Sequence, residues 1–350
     1  MKFLSVIALL VGFSSAANID VWDFDQSCEP YRDAIQKAYD DAHYMAVKAH
    51  KDLQVMLQPR PEYSPETLND LKNWDRIARA VYNMFGFMPD RKGHDIKERY
   101  FSELMYVFEG MVATLQFGHM QPKETGYGAD KPLMLCDRDV FQWVARDAKD
   151  PNDPTGRDLG VSQEKLLGGA PGAWHYKKRY IPEAVEKDSI TLCTPGQWAV
   201  TNTRFNFIII CPHSFGEEMA RTRSAVDVKD DEQTEANKLD DYSHTCLSRT
   251  MVHELTHWFG GEGDGTRNGN QRYVKDQDMV SKDGHPVYFN PKTQKFTLDG
   301  TIEGVVRKVV YDYTWVSNLA RTHTGPNAGE TGPDKATKTA EAYAIFAIMA

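Results

Sequence analysis

Beyond its first 13 residues the chain never strings together the roughly 20 apolar residues that a membrane-spanning helix needs, so no later segment is expected to cross a bilayer. A basic excess is also missing. The 41 Lys and Arg are outnumbered by 50 Asp and Glu, and a formal net charge of −9 argues against nucleic acid or an anionic membrane as partner. Cysteine is scarce, with five in 350 residues and none at the C-x-x-C spacing of a zinc or redox site. There is no internal repeat and no Asn-x-Ser/Thr acceptor for N-glycosylation.

What is present first is a leader. Met1-Lys2 precedes an apolar run from Phe3 to Phe13 and then Ser14-Ser15-Ala16-Ala17, a basic start and a short apolar core followed by small residues. That pattern marks a secretion signal cut after Ala16 or Ala17 and implies a secreted, extracellular protein. In an oxidising compartment five cysteines predict two bridges and one leftover thiol. Cys193 and Cys211, beside strand-like runs separated by a turn, are the preferred pair.

The 41% hydrophobic and 11% aromatic content allows a sizeable core. Apolar residues recur every three or four positions from Tyr31 to Ala49, from Leu68 to Phe85 and from Ile96 to Leu115. The first third therefore reads as helical scaffold, with Gly86 and Pro89 stopping the second helix and His43 and His50 as surface or packing residues. Residues 132–136, 189–193 and 205–211 are rich in strand formers and predict a small sheet, while residues 217–241 read as a charged surface excursion. A hairpin is expected around Asp283-Gly284, and helices from Val305 to Ala320 and near the C-terminus. The division expected is a signal over 1–16, an N-terminal helical region over 17–122 and a second domain over 123–350, in an α+β fold that is mostly helical.

The organising stretch is Ser243 to Gly261, with His253-Glu254-Leu255-Thr256-His257 at its centre. On a helix, histidines four apart stand on one face about 6 Å apart along the axis, which lets two imidazoles share one ion. Glu254 between them can face a water at the open position of a catalytic zinc and serve as general base. Met251, Val252, Leu255, Trp258 and Phe259 supply an apolar stripe, Ser248 or Thr250 a cap, and Gly260-Gly261 a stop. Such a site needs a third donor. Gly263 excludes a third histidine at that position, Glu341 would serve a thermolysin-like enzyme, and Glu303 lies in a turn-like stretch.

These motifs resemble those of the fungal secreted aspzincins, the deuterolysin and peptidyl-Lys metalloendopeptidase group, and particularly their longer relatives. His253 to His257 matches the zinc helix, Phe207 to Pro212 resembles the strand before it, Tyr311 with Leu319-Ala320 resembles the Tyr-Gly region, and Thr339 to Ala344 resembles the terminal Asn-Ala-Asp-x-Tyr segment. The departures are Gly265-Thr266-Arg267-Asn268 without the short family's Asp, Asp312 where the family has Gly, and Glu341 where it has Asp. Tyr273-Val274-Lys275-Asp276 best resembles the longer relatives' loop, which makes Asp276 the expected third ligand, with Asp264, Asp278, Asp312 and Glu341 left open. The resemblance implies a zincin-like fold and one catalytic Zn2+ held by His253, His257 and Asp276. It further implies a zinc metalloendopeptidase acting on polypeptides, with Glu254 as base and Tyr311, or Tyr313 in its place, at the oxyanion; a monomer is expected. The strand from Phe205 to Cys211 is expected to hold substrate backbone by edge pairing. The alternatives are the thermolysin-like enzyme and a secreted zinc-binding or effector protein without catalysis.

Overall fold

A computed structural model describes residues 17–89, 99–118, 130–231, 245–260, 274–321 and 332–350. The expected signal, Gly261, Gly263, Asp264, residues 265–268 and Tyr273 lie outside them. The fold is α+β. Six longer helices are α1 (Arg32–Met56), α2 (Leu68–Phe85), α3 (Arg99–Phe117), α4 (Leu247–Phe259), α5 (Tyr313–Arg321) and α6 (Ala340–Met349). No described helix is long and apolar enough to cross a membrane.

The helical layer follows from side-chain size. On α1 the positions Ala38, Ala42, Ala46 and Ala49 are buried in a row of small residues, which lets neighbouring helices approach closely. Against it pack α3, α4 and α6. Apolar nearly all round, α6 is buried accordingly, and Phe85 and Phe108 meet its Tyr343 and Phe346. One buried cluster thus takes in α1, α2, α3, α4 and α6, so the N-terminal helices share a core with the histidine helix.

Two glycines permit close crossings. Gly86 ends α2 at φ +77°, and a Cβ there would lie 2.0 Å from the Ala320 carbonyl oxygen of α5. At Gly260, which ends α4, a Cβ would lie 2.4 Å from the Val274 side chain, so only glycine lets the segment carrying Asp276 cross there.

The main sheet has the order β1 (Asp23–Phe24), β2 (Leu133–Leu135), β7 (Phe207–Ile210), β6 (Ala199–Asn202). β1, β2 and β7 are parallel, and β6 runs antiparallel to β7 at the edge. Alternation sorts the two faces: Met134, Ile208 and Ile210 join the helical core, while Leu133, Leu135, Phe207 and Ile209 face a second cluster with Phe141 and Trp174. β3 (Gln142–Ala145), β4 (Gly172–Tyr176) and β5 (Arg179–Glu183) form an antiparallel meander on that side. β8 (Tyr288–Asn290), β9 (Lys295–Thr297) and β10 (Val306–Arg307) make a third small sheet.

Two bridges join Cys28 to Cys136 and Cys193 to Cys211, and Cys246 is a buried free thiol, matching the expected count and pair. The first ties the 3-10 turn before α1 to the residue following β2. Residues 189–193 are not a strand: Cys193 sits at φ +54°, outside the extended region, where its disulfide ties it to the residue following β7. Val305 to Arg307 does not begin a helix either. Gly304 at φ +81° breaks the chain there, and β10 pairs with β8 before α5 starts at Tyr313. A turn does occur at Asp283-Gly284, closed by the Val280–Pro286 bridge. The 217–241 stretch is described only to residue 231, where Glu217–Arg221 and Ala225–Val228 are short helices.

Candidate metal centre

Helix α4 carries both histidines. Its cap is neither Ser248 nor Thr250 but Cys246, whose sulfur accepts from the Arg249 amide at 3.5 Å, because Ser248 lies inside the first turn and donates to Asp41 at 2.7 Å. The helix is buried on nearly every side, including Arg249, Thr250, His253, Glu254 and Thr256. Each polar side chain there therefore needs a partner.

The partners fix the imidazoles. His253 turns Nδ1 to Glu341 Oε2 at 2.9 Å, and His257 turns Nδ1 to the Val274 carbonyl at 3.0 Å. Both acceptors demand a proton on Nδ1, which leaves a lone pair on each Nε2. Those two Nε2 atoms face each other at 3.1 Å. Asp276 Oδ1 lies 3.0 Å from His253 Nε2 and 3.3 Å from His257 Nε2, buried and without a hydrogen-bond partner.

Three electron-pair donors converging without a hydrogen between them repel one another unless a cation sits among them. Donors about 2.0–2.1 Å from a tetrahedral zinc stand about 3.3 Å apart, close to the three separations observed. His253, His257 and Asp276 form a group that could hold a metal ion. The point where they meet lies in a negative field, which holds a proton when no ion is there and which a cation would displace that proton to occupy. Burial alone would push the His253 imidazolium down, but Asp276 and Glu341 outweigh it and raise its pKa well above the ordinary value. Burial would raise the Asp276 carboxyl, yet the two histidines hold it far below the usual carboxylate range.

The other expected donors lie elsewhere. Asp278 pairs with Arg307 at 2.9 Å, Asp312 accepts from the Trp315 amide at the head of α5, and Glu303 is exposed in a turn. Glu341 is buried beside the site, but on the far nitrogen of His253, with its other oxygen held by Arg249. Glu341 thus stands behind His253 and outside the three converging donors, where a thermolysin-like third ligand would have to be among them. Burial would raise the Glu341 carboxyl, and Arg249 and His253 more than reverse this.

Glu254 stands beside the three donors and outside them. Its Oε2 accepts from Thr201 Oγ1 at 2.6 Å, and the same hydroxyl lies 3.0 Å from the Glu254 carbonyl. Thr201 belongs to β6, and sequence reasoning missed it because nothing local marks a strand threonine as a partner of a helix 53 residues on. Arg249, which bonds both Glu341 and the Tyr311 carbonyl, was missed for the same reason.

A cavity of about 380 Å³ opens over the group, walled by residues 196–201, by α4 and by the Val274–Asp276 segment. Tyr311 lines it, its ring 5.9 Å from that of His253. Tyr311 is 47% exposed, but partial desolvation of its hydroxyl, followed by the charges of Asp276, Glu254 and Glu341, raises the phenol's pKa and keeps it protonated. Tyr313 is not among the lining residues. The strand at the edge beside the cavity is β6; β7 is paired on both sides, so residues 205–211 do not offer the edge expected of them.

Comparison with protein-family models, curated proteins and solved structures finds no match to this chain.

Proposed function

We propose that the protein is a secreted zinc-dependent endopeptidase of zincin-like fold, similar to the aspzincins, with His253, His257 and Asp276 as ligands. The observation that carries this reading is the division of labour on α4. Two imidazoles and Asp276 turn electron pairs to one point, while Glu254, between them in sequence, is left out and faces the cavity on a hydroxyl from the edge strand. A non-catalytic zinc protein needs no such acid and closes its site with four ligands; here the three donors adjoin an open cavity. The two disulfides fit an extracellular setting.

A zinc ion in this group supplies a Lewis acid for the substrate carbonyl and lowers the pKa of the water it holds. Glu254 takes a proton from the attacking water and passes it to the leaving amine as the carbon–nitrogen bond breaks. Thr201 holds that carboxylate in place between the two transfers. Tyr311 donates a hydrogen bond to the carbonyl oxygen as negative charge develops there. An extended substrate adds to the edge of β6, which fixes the scissile bond over Glu254.

Metal content by mass spectrometry, with casein hydrolysis with and without a chelator, tests this beside Glu254→Ala. One zinc per chain, chelator-sensitive hydrolysis and an inert but zinc-loaded variant are expected. Equal activity in the variant overturns the role of Glu254, and wild-type protein that binds zinc and cuts nothing favours a binding or effector protein.

A further inference from the structure

Among the described residues lining the cavity the charged side chains are Arg249, Lys275, Glu254, Asp276 and Glu341. Glu254 accepts from Thr201, Asp276 faces both histidines across the point an ion would take, and Glu341 is held by Arg249 and His253. Lys275 is exposed and forms no ion pair with any described residue. Once a divalent ion sits in the group, the two cations and the ion outweigh the three carboxylates by one charge. Among the described residues an entering ammonium therefore meets a lining of net positive charge, whereas an entering carboxylate meets Lys275 and the field of Arg249.

The described lining of the cleft, with an ion in place, thus differs in sign from the whole chain, whose net charge is −9. Which wins is a matter of distance. At physiological salt, exposed charges farther apart than about 8 Å are largely screened, so the distributed negative surface fades while charges inside the cavity act at close range. Arg249 is also fixed, buried and tied to the Tyr311 carbonyl and Glu341, so its charge cannot swing away from a ligand.

From this, and resting on the peptidase reading, we propose that the cleft selects peptides with an acidic side chain beside the scissile bond and rejects those with lysine there, Lys275 being the main determinant. One unit of charge at this range predicts a preference of about tenfold for Glu over Lys, with Gln between. The preference should shrink in 0.5 M salt.

The test uses the full chain loaded with zinc and quenched Gly-Ala peptides carrying a single Glu, Gln or Lys. Cleavage is followed with the wild type and binding with Glu254→Gln, which separates recognition from hydrolysis. The Glu peptide is expected to exceed the Lys peptide about tenfold in kcat/KM and in affinity, and Lys275→Glu to reverse the order. A Lys peptide that binds or is cut as well as the Glu peptide overturns the proposal, as does a Lys275→Glu protein with an unmoved ratio. Charge-selective binding without any cleavage would sink the peptidase reading and leave the selectivity standing, and cleavage without preference does the opposite.

Discussion

Two clusters in this molecule set a carboxylate with a buried oxygen beside a tyrosine and a histidine, and they differ in where the hydrogens are. Asp150, beside the β3–β4–β5 meander, accepts from the Asn152 amide at 2.9 Å, Ser162 Oγ at 2.5 Å, Gln163 Nε2 at 3.2 Å and the Tyr180 hydroxyl. Every partner is a donor, and His175 is turned to the Lys177 carbonyl and Asn152. Asp276 has an oxygen with no hydrogen-bond donor at all and two imidazole lone pairs aimed at the same point. The first cluster is complete as it stands. The second is a group that could hold a cation, and an acid that folding alone leaves uncompensated marks a site better than an acid that is merely buried.

The sharpest way to break this comparison is to remove the group that only chemistry needs. Glu254→Gln should lower kcat on the order of 1000-fold or more while zinc content stays at one per chain, because the carboxylate is outside the ligand set. Loss of zinc in that variant would mean that Glu254 is a ligand and the division between donors and base is wrong. Next comes Glu341→Gln, expected to weaken zinc affinity by about 10- to 100-fold in a chelator competition, since the amide cannot hold the Nδ1 proton of His253 as firmly. An unchanged affinity would make Glu341 a packing residue. Smaller still, Thr201→Val should cost about tenfold in kcat with zinc binding unaltered, the loss expected when a charged acceptor gives up one hydroxyl.

The sequence carried the helical scaffold because periodicity and glycine stops are local, as for Leu68 to Phe85 ending at Gly86. His253, Glu254 and His257 were equally legible, their spacing being a property of one helix. Asp276 could be reached only through a resemblance, since its approach depends on Gly260 letting a distant segment cross the end of α4. Thr201 and Arg249 were invisible for a related reason: one belongs to an edge strand and the other gains its role from a carboxylate 92 residues later. Pattern alone likewise exchanged β6 for β7, because a strand's place in the sheet order is a tertiary fact.

The mildest test leaves the site intact and perturbs the complete cluster. Burial opposes ionisation of Asp150, but hydrogen bonds from Ser162, Tyr180, Asn152 and Gln163 more than reverse it, so its folded pKa lies below the unfolded value of 3.8. The stability this carboxylate contributes is fully present above the unfolded pKa and is lost as pH falls through the folded one. Asp150→Asn should therefore cost about 2 kcal/mol in urea unfolding at pH 7, and its deficit relative to the wild type should narrow only below about pH 4. Zinc content and Glu254-dependent hydrolysis should match the wild type, because no hydrogen bond of this network reaches α4. A folded Asp150→Asn protein that had lost its zinc would couple the two clusters and remove the contrast between a carboxylate satisfied by folding and one left for an ion.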